Sequence, residues 1–384
     1  MKITTLASFT LLLLLRATGY GQTIPVIRAN SSIVNVKLDG KLYQSAWQIS
    51  PAEKLDIFPT AAKRVTFYTD IDSLTIAVDP AIGIYNFIIL VKEKDSAHTQ
   101  IKYDAAAIQN PGPTALYVRK AIEAQAYSLK VAPEPIFKVE NRAVWNGTDS
   151  IRIRIYYSGD SKKQRIIYNV HGGAFVACNL ETHDNICRIL ANKTHSMVIA
   201  LDYRKAPESP FPASIDDCLT VLQWIKTNAA TLGGDGDNLV LVGDSGGGLF
   251  VTALGVKLQR KFNARAVVLV NPAGDLRHYE QSTYALVIDS YLAGKDPNDS
   301  LASPITAKNF SFFPPTLVIT CEKDGLKPQG LAIYNKLSAQ GVRATTVDIP
   351  QQGHLASFWA MGHPNADKAI EETVRFILDG PPGK

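Results

Sequence analysis

The 384-residue chain is long enough for two domains, or for one large domain with additions. Hydrophobic residues make up 46% and charged residues 20%, so a sizeable core is expected. Net charge is only +5, and the most basic stretch, Ile151-Arg152-Ile153-Arg154-Ile155, alternates apolar with charged residues. That is a half-buried strand with its arginines facing water, not a nucleic-acid surface.

Residues 1–21 read as a signal peptide, so the mature chain is expected to be exported, periplasmic or extracellular. Lys2 supplies the positive start, residues 11–15 are all leucine, and Gly19-Tyr20-Gly21 offers small residues for cleavage. The apolar run is too short to span a bilayer, and Arg16 interrupts it. The rival reading is a buried N-terminal helix. No later segment reads as transmembrane. Residues 22–103 read as a small all-β domain. Segments 65–69 and 73–78 flank Asp70-Ile71-Asp72 as a hairpin, and 34–38 and 87–91 are further strands. This region binds polysaccharide or packs on the rest of the chain; its residues do not decide between the two. Residues 104–113, with Ala105-Ala106-Ala107 and Pro111-Gly112-Pro113, read as a linker. Residues 114–130 form an amphipathic helix with Ala115, Val118, Ile122 and Leu129 near one face.

A strand over 165–170 runs into His171-Gly172-Gly173-Ala174-Phe175. Successive glycines let backbone amides point into one concavity, where they can stabilise an oxyanion. A second apolar run, 239–242, ends in Gly243-Asp244-Ser245-Gly246-Gly247-Gly248, and a helix follows over 249–260. G-x-S-x-G between strand and helix is a nucleophile elbow, and Gly243 and Gly247 supply the small neighbours that the turn needs. The amide of Gly246 is a further oxyanion donor. The bland alternative is a glycine-rich junction or a nucleotide-binding turn, although G-x-G-x-x-G spacing is missing. The next strand, 266–270, ends in Asn271-Pro272. The polar, aromatic stretch 272–304 carries Tyr279, Tyr284 and Tyr291, each singly read as surface packing. A strand over 316–320 ends in Cys321-Glu322-Lys323-Asp324. Asp324 is preferred to Glu322 because it lies further out in the turn. A helix follows over 329–340, then a short strand, 345–349, whose loop carries His354. Of the 7 histidines, His354 alone follows both Ser245 and Asp324 at a strand end.

Serine needs a base to take its proton, a neutral imidazole can do so near neutrality, and a carboxylate fixes the imidazole's tautomer. The order Ser245, Asp324, His354 is that of α/β-hydrolases. Repeated βαβ units from residue 165 predict a mainly parallel sheet with helices on both faces.

These residues resemble the hormone-sensitive-lipase-like branch of the α/β-hydrolases, the bacterial family IV esterases. H-G-G-G-F stands here as His171 to Phe175, and G-D-S-A-G-G as Gly243 to Gly248 with Gly246 in place of alanine. D-Y-R-L-A-P-E-x-P-F-P-A stands as Asp202-Tyr203-Arg204-Lys205-Ala206-Pro207-Glu208-Ser209-Pro210-Phe211-Pro212-Ala213, the most specific match. Arg204 and Glu208 are expected to brace the core of the fold. The resemblance runs from about residue 113 to the C-terminus. It implies an α/β-hydrolase domain over 114–384 with a helical cap built from 114–130 and 272–304. It also implies Ser245 as nucleophile, Asp324 as acid, His354 as base, and oxyanion donors at Gly172, Gly173, Ala174 and Gly246, with no metal and no organic cofactor. Ala174 departs from the third glycine. Its amide serves without strain if φ is negative, whereas a positive φ costs energy.

Cys218 and Cys321 are expected to pack as small apolar groups, and a Cys178–Cys187 bridge stays open. The expected function is a secreted serine carboxylesterase for short- to medium-chain esters, acting through an acyl-enzyme. The alternatives are a polysaccharide or xylan acetyl or acyl esterase, and a non-catalytic binding protein on the same fold. The expected partner is a small-molecule or polysaccharide ester, with no nucleic acid. Oligomeric state is not legible.

Overall fold

The computed structural model describes residues 131–279 and 284–381, the helix Pro111–Ser128 with Leu129, and the backbone of strand segments within residues 10–104. It divides into two compact units, Met1–Tyr117 and Val118–Lys384. In the first, Arg64–Tyr68 pairs antiparallel with Ser73–Ala77, and Asn35–Leu38 with Lys41–Ser45. Apart from Thr10–Leu11, the expected leader lies outside the described residues, as do residues 105–110 of the expected linker. The helix that follows is α1 (Pro111–Ser128).

The second unit is built on an eight-stranded sheet. Its strands are β1 (Lys138–Trp145), β2 (Ser150–Tyr157), β3 (Gln164–Val170), β4 (Met197–Asp202), β5 (Gly234–Asp244), β6 (Ala266–Val270), β7 (Thr316–Cys321) and β8 (Ala344–Ile349). The spatial order is β1-β2-β4-β3-β5-β6-β7-β8. β2 pairs antiparallel with β1 and with β4, and every other pair is parallel. The sheet is thus mainly parallel, as the βαβ order predicts. Parallel strands with both faces covered must be apolar throughout. All five residues of β6 and all six of β7 are buried.

Helices supply that cover. From α2 (Asp184–Thr194) and α8 (Asp367–Asp379), Ile186, Leu190, Phe376 and Ile377 join Val198, Val240, Val268 and Ile319 in one cluster. α7 (Ala356–Ala360) adds Trp359 to it. Strand side chains alternate, so the intervening residues face the other layer. There α3 (Ala213–Asn228), α4 (Gly246–Leu258) and α6 (Lys327–Ala339) pack on the sheet or on one another. Burial of each large aliphatic side chain contributes about 1.5–3 kcal/mol.

Two expectations need correction. Arg154 does not face water: its side chain is 13% exposed and bonds Glu181 and Asp184 at the entry to α2. Those acids neutralise it, which leaves only Arg152 in solvent beside Asp202. Tyr291 is not a surface residue either. It lies on α5 (Ala285–Leu292), fully buried. The four cysteines are buried free thiols, with no Cys178–Cys187 bridge.

β3 lies between β4 and β5, so the chain leaves β3 to one side and returns on the other. Such a switch point opens a crevice at the carboxyl ends of the strands. The turn after β3 and Ser245 after β5 flank it. Their approach depends on Gly247, where a Cβ would sit 2.0 Å from the Val170 carbonyl oxygen and 2.6 Å from that of His171. Both contacts are backbone and cannot rotate away. Gly247→Ala is expected to cost on the order of 3 kcal/mol or more. That lowers Tm by roughly 6 °C or more. Gly159→Ala, with nothing within 4 Å, is the control. Equal melting of the two variants would contradict the packing argument.

Candidate active site

Ser245 sits between β5 and α4 at φ 49° and ψ −119°, a conformation unfavourable for any residue with a Cβ. Its surroundings hold it there. Its amide donates to the Val270 carbonyl at 2.9 Å, and its own carbonyl accepts from the Gly248 and Ala273 amides, both at 3.0 Å. A Cβ on Gly243 would lie 2.6 Å from the Gly247 carbonyl oxygen, so the turn tolerates only glycine there.

The structure brings the other two candidates to this serine. His354 Nε2 is 3.0 Å from Ser245 Oγ, and His354 Nδ1 is 2.9 Å from Asp324 Oδ2. With the proton on Nδ1 donated to the carboxylate, Nε2 is left to accept from the hydroxyl. Asp324 also accepts from the Leu326 amide at 2.9 Å and from Asn271 Nδ2 at 2.6 Å. Burial pushes its carboxyl up, but the hydrogen bond and charge of His354, with those two further donors, outweigh burial and hold it below its ordinary value. Glu322 has a different task. Its Oε2 accepts from the Gln351 amide at 2.7 Å, and the Lys323 amide donates to the Gln352 carbonyl at 2.8 Å. The two turns that carry Asp324 and His354 are thereby stitched together.

The glycine turn after β3 touches the serine: a Cβ on Gly172 would lie 2.4 Å from Asp244 Oδ2 and 3.1 Å from Ser245 Cβ. The turn lies beyond the β3 ladder and Gly246 is the first residue of α4, so the amides of Gly172, Gly173, Ala174 and Gly246 have no ladder partner. Gly173 has φ 121° and Ala174 has φ 49°. Ala174 therefore takes the costly sign, at about 1–2 kcal/mol. Bonds around it hold the turn. The Gly173 carbonyl accepts from Val176 and Ala177 amides at 3.1 and 2.8 Å, and the Tyr203 hydroxyl donates to the His171 and Gly172 carbonyls at 2.9 and 3.1 Å.

Side chains from α5 and α1 meet this turn. Phe175 stacks on Tyr291 of α5, with ring centroids 4.3 Å apart. A Cβ on Gly246 would lie 3.1 Å from the same Phe175 ring, so alanine here would need the ring to give by a few tenths of an ångström. From α1, Arg119 donates to the Val176 carbonyl at 2.5 Å and the Ala206 carbonyl at 2.8 Å, and pairs with Glu208. Glu208 thus braces α1 rather than the core. Arg204 does brace the core, through fully buried Asp217.

Sequence reasoning missed Arg119, Asn271 and the buried cluster behind the serine. In that cluster His183 Nε2 lies 3.3 Å from Asp244, and His171 stacks on Tyr203 at 4.2 Å. Burial, with Lys205 and His183 adding to it, holds His171 well below the usual imidazole value. The unfolded imidazole takes a proton near pH 6.5 and the folded one does not, so stability present above about pH 6.5 is lost as pH falls. Tm is expected to drop between about pH 6.5 and pH 5, more steeply for the parent than for His171→Gln. Parallel curves for the two proteins would count against it.

Residues 167–358 match the family described as alpha/beta hydrolase fold. The chain is 28% identical over 264 residues to an arylesterase of Saccharolobus solfataricus, covering 65% of this chain and 85% of that protein. It is 30% identical over 270 residues to carboxylesterase NlhH of Mycobacterium tuberculosis, covering 64% and 84%. An esterase structure from Pyrobaculum calidifontis superposes with TM-score 0.63 at 29% identity, covering 69% of this chain and 93% of that one. The chain belongs to the α/β-hydrolase fold family, in its hormone-sensitive-lipase-like esterase branch, and is a carboxylic-ester hydrolase.

Proposed function

We propose that this is an exported serine carboxylesterase that hydrolyses short- to medium-chain carboxylic esters through an acyl-enzyme. The observation that carries the reading is the continuous path from Ser245 Oγ through His354, at 3.0 Å, to Asp324, at 2.9 Å. His354 Nε2 takes the hydroxyl proton as Oγ attacks the ester carbonyl. The carbonyl oxygen, now negative, meets the amides of Gly172, Gly173, Ala174 and Gly246. Collapse breaks the bond to the alcohol, which leaves with the proton held on His354. Water then attacks the acyl-serine, with the same imidazole as base. Asp324 stabilises the imidazolium in both halves. Small esters suit the reading because relatives carry such names: a Pseudomonas putida protein, 33% identical over 227 residues, is an ethyl acetate hydrolase. Export rests on Lys2, the leucines of 11–15 and Gly19-Tyr20-Gly21.

An organophosphonate is expected to label the protein once, at Ser245, with loss of p-nitrophenyl acetate hydrolysis in step. The first turnover should release a burst of p-nitrophenol equal to the labelled sites if deacylation is the slower half. Labelling at a different serine, or none on folded protein, would overturn the proposal.

A further inference from the structure

We propose that Asn271 is a positioning residue for the acid: its side-chain amide fixes the carboxylate oxygen of Asp324 that faces His354. The inference rests on the serine-esterase reading of the site. Asn271 directly follows β6 and is 3% exposed. Its backbone is at φ 46°, a region that asparagine tolerates better than most residues with a Cβ. Its own amide donates to the Ile319 carbonyl of β7 at 2.8 Å, so the backbone is fixed against the strand that delivers Asp324. Its Nδ2 then donates to Asp324 Oδ2 at 2.6 Å, the same oxygen that His354 Nδ1 reaches at 2.9 Å.

The amide has one sensible orientation. Its Oδ1 toward Asp324 would set two acceptors face to face. The other side of the amide is held by Cys321, whose Sγ lies 3.7 Å from Asn271 Oδ1. Burial pushes that thiol up to about 11, so it keeps its proton and can donate. Asp324 therefore accepts from two sides: from the amide that the Cys321 thiol orients, and from the imidazole that takes the Ser245 proton. The titratable groups around Asp324 and Cys321 are His354, Asp348 and Lys327. None of these reaches Asp324 Oδ2 except His354.

Two variants that accept a positive φ test the idea in the full chain. Asn271→Gly removes the donor without backbone strain. Asn271→Asp keeps the shape and puts a second carboxylate beside the first. Losing a donor makes Asp324 more basic, and adding a negative charge favours the imidazolium further. The midpoint of the acid limb of kcat/KM for p-nitrophenyl acetate is expected to move up by about half a pH unit or more, in the order parent, Gly, Asp. kcat per phosphonate-titrated site should fall about 10- to 100-fold with KM within about threefold, because the change misaims the base and leaves Ser245 and the amides around it in place. A purely structural role would lower the number of titratable sites and leave the midpoint per active site in place; that result overturns the proposal. Failure of the parent protein to take the phosphonate at Ser245 would instead remove the serine-esterase reading on which it rests.

Discussion

Ser245→Ala is expected to lower kcat for a small aryl ester by about five to six powers of ten. The alanine variant keeps the amides of Gly172, Gly173, Ala174 and Gly246 that the proposed mechanism uses, so KM should stay within a few-fold. Residual turnover of the order of a thousandfold above water should persist through the amides alone. The fold should survive, since the hydroxyl is absent from the backbone bonds that pin residue 245 to Val270, Gly248 and Ala273. The φ of 49° and ψ of −119° remain, however, and so does their cost. Ser245→Gly relieves it and should melt higher than Ser245→Ala while being just as inactive. That pairing separates the chemistry of the hydroxyl from the strain of the turn. Substantial activity in both variants, with contaminating esterase excluded by phosphonate titration, would show a different nucleophile or a different reaction.

The strain at the elbow and the strain at Ala174 have the same origin. Both residues must aim a group into the crevice between β3 and β5, and a backbone that follows its preferred angles does not. Bonds from the surrounding backbone and from Tyr203 hold both in place, which is why the site sits at the sheet's switch point and not on a free loop. The elbow was legible in the sequence because its signal is local: an apolar strand, small residues at fixed offsets and a helix start. The turn at His171 to Ala174 was legible for the same reason, but the sign of φ at Ala174 was not. That sign depends on where Val176, Ala177 and Tyr203 place their donors. Asn271 was legible only as a strand end. Its role needs β6 beside β7, a sheet neighbour relation that no periodicity in the chain records. Arg154 and Tyr291 were misplaced for a related reason. Alternation and composition describe a segment's own faces, while the acids at the entry to α2 and the ring of Phe175 arrive from elsewhere in the chain.

Asp324→Asn is expected to lower kcat about ten-thousandfold with little change in KM or Tm. The cause is the tautomer. A carboxylate only accepts, so it obliges His354 to carry its proton on Nδ1 and leaves Nε2 bare toward Ser245 Oγ, 3.0 Å away. An asparagine at 324 meets two conflicting neighbours. Asn271 Nδ2, at 2.6 Å, demands an acceptor there, and so does His354 Nδ1 from the same oxygen. If the new amide turns its NH2 toward the imidazole, the proton moves to Nε2 and the base is lost. If it turns its oxygen that way, the tautomer is kept but the negative charge that steadies the imidazolium is gone. Either orientation is slow, and neither is rescued by lowering the pH. Glu322→Gln is the matched control. Glu322 only accepts from Gln351, at 2.7 Å from the amide, and a glutamine oxygen can accept that bond as well. Its activity should stay within about tenfold of the parent, because the brace between the two turns survives without its charge. If the two variants exchanged behaviour, with Glu322→Gln inactive and Asp324→Asn nearly normal, the acid would be Glu322 and the hydrogen bond from His354 to Asp324 would have no part in the chemistry.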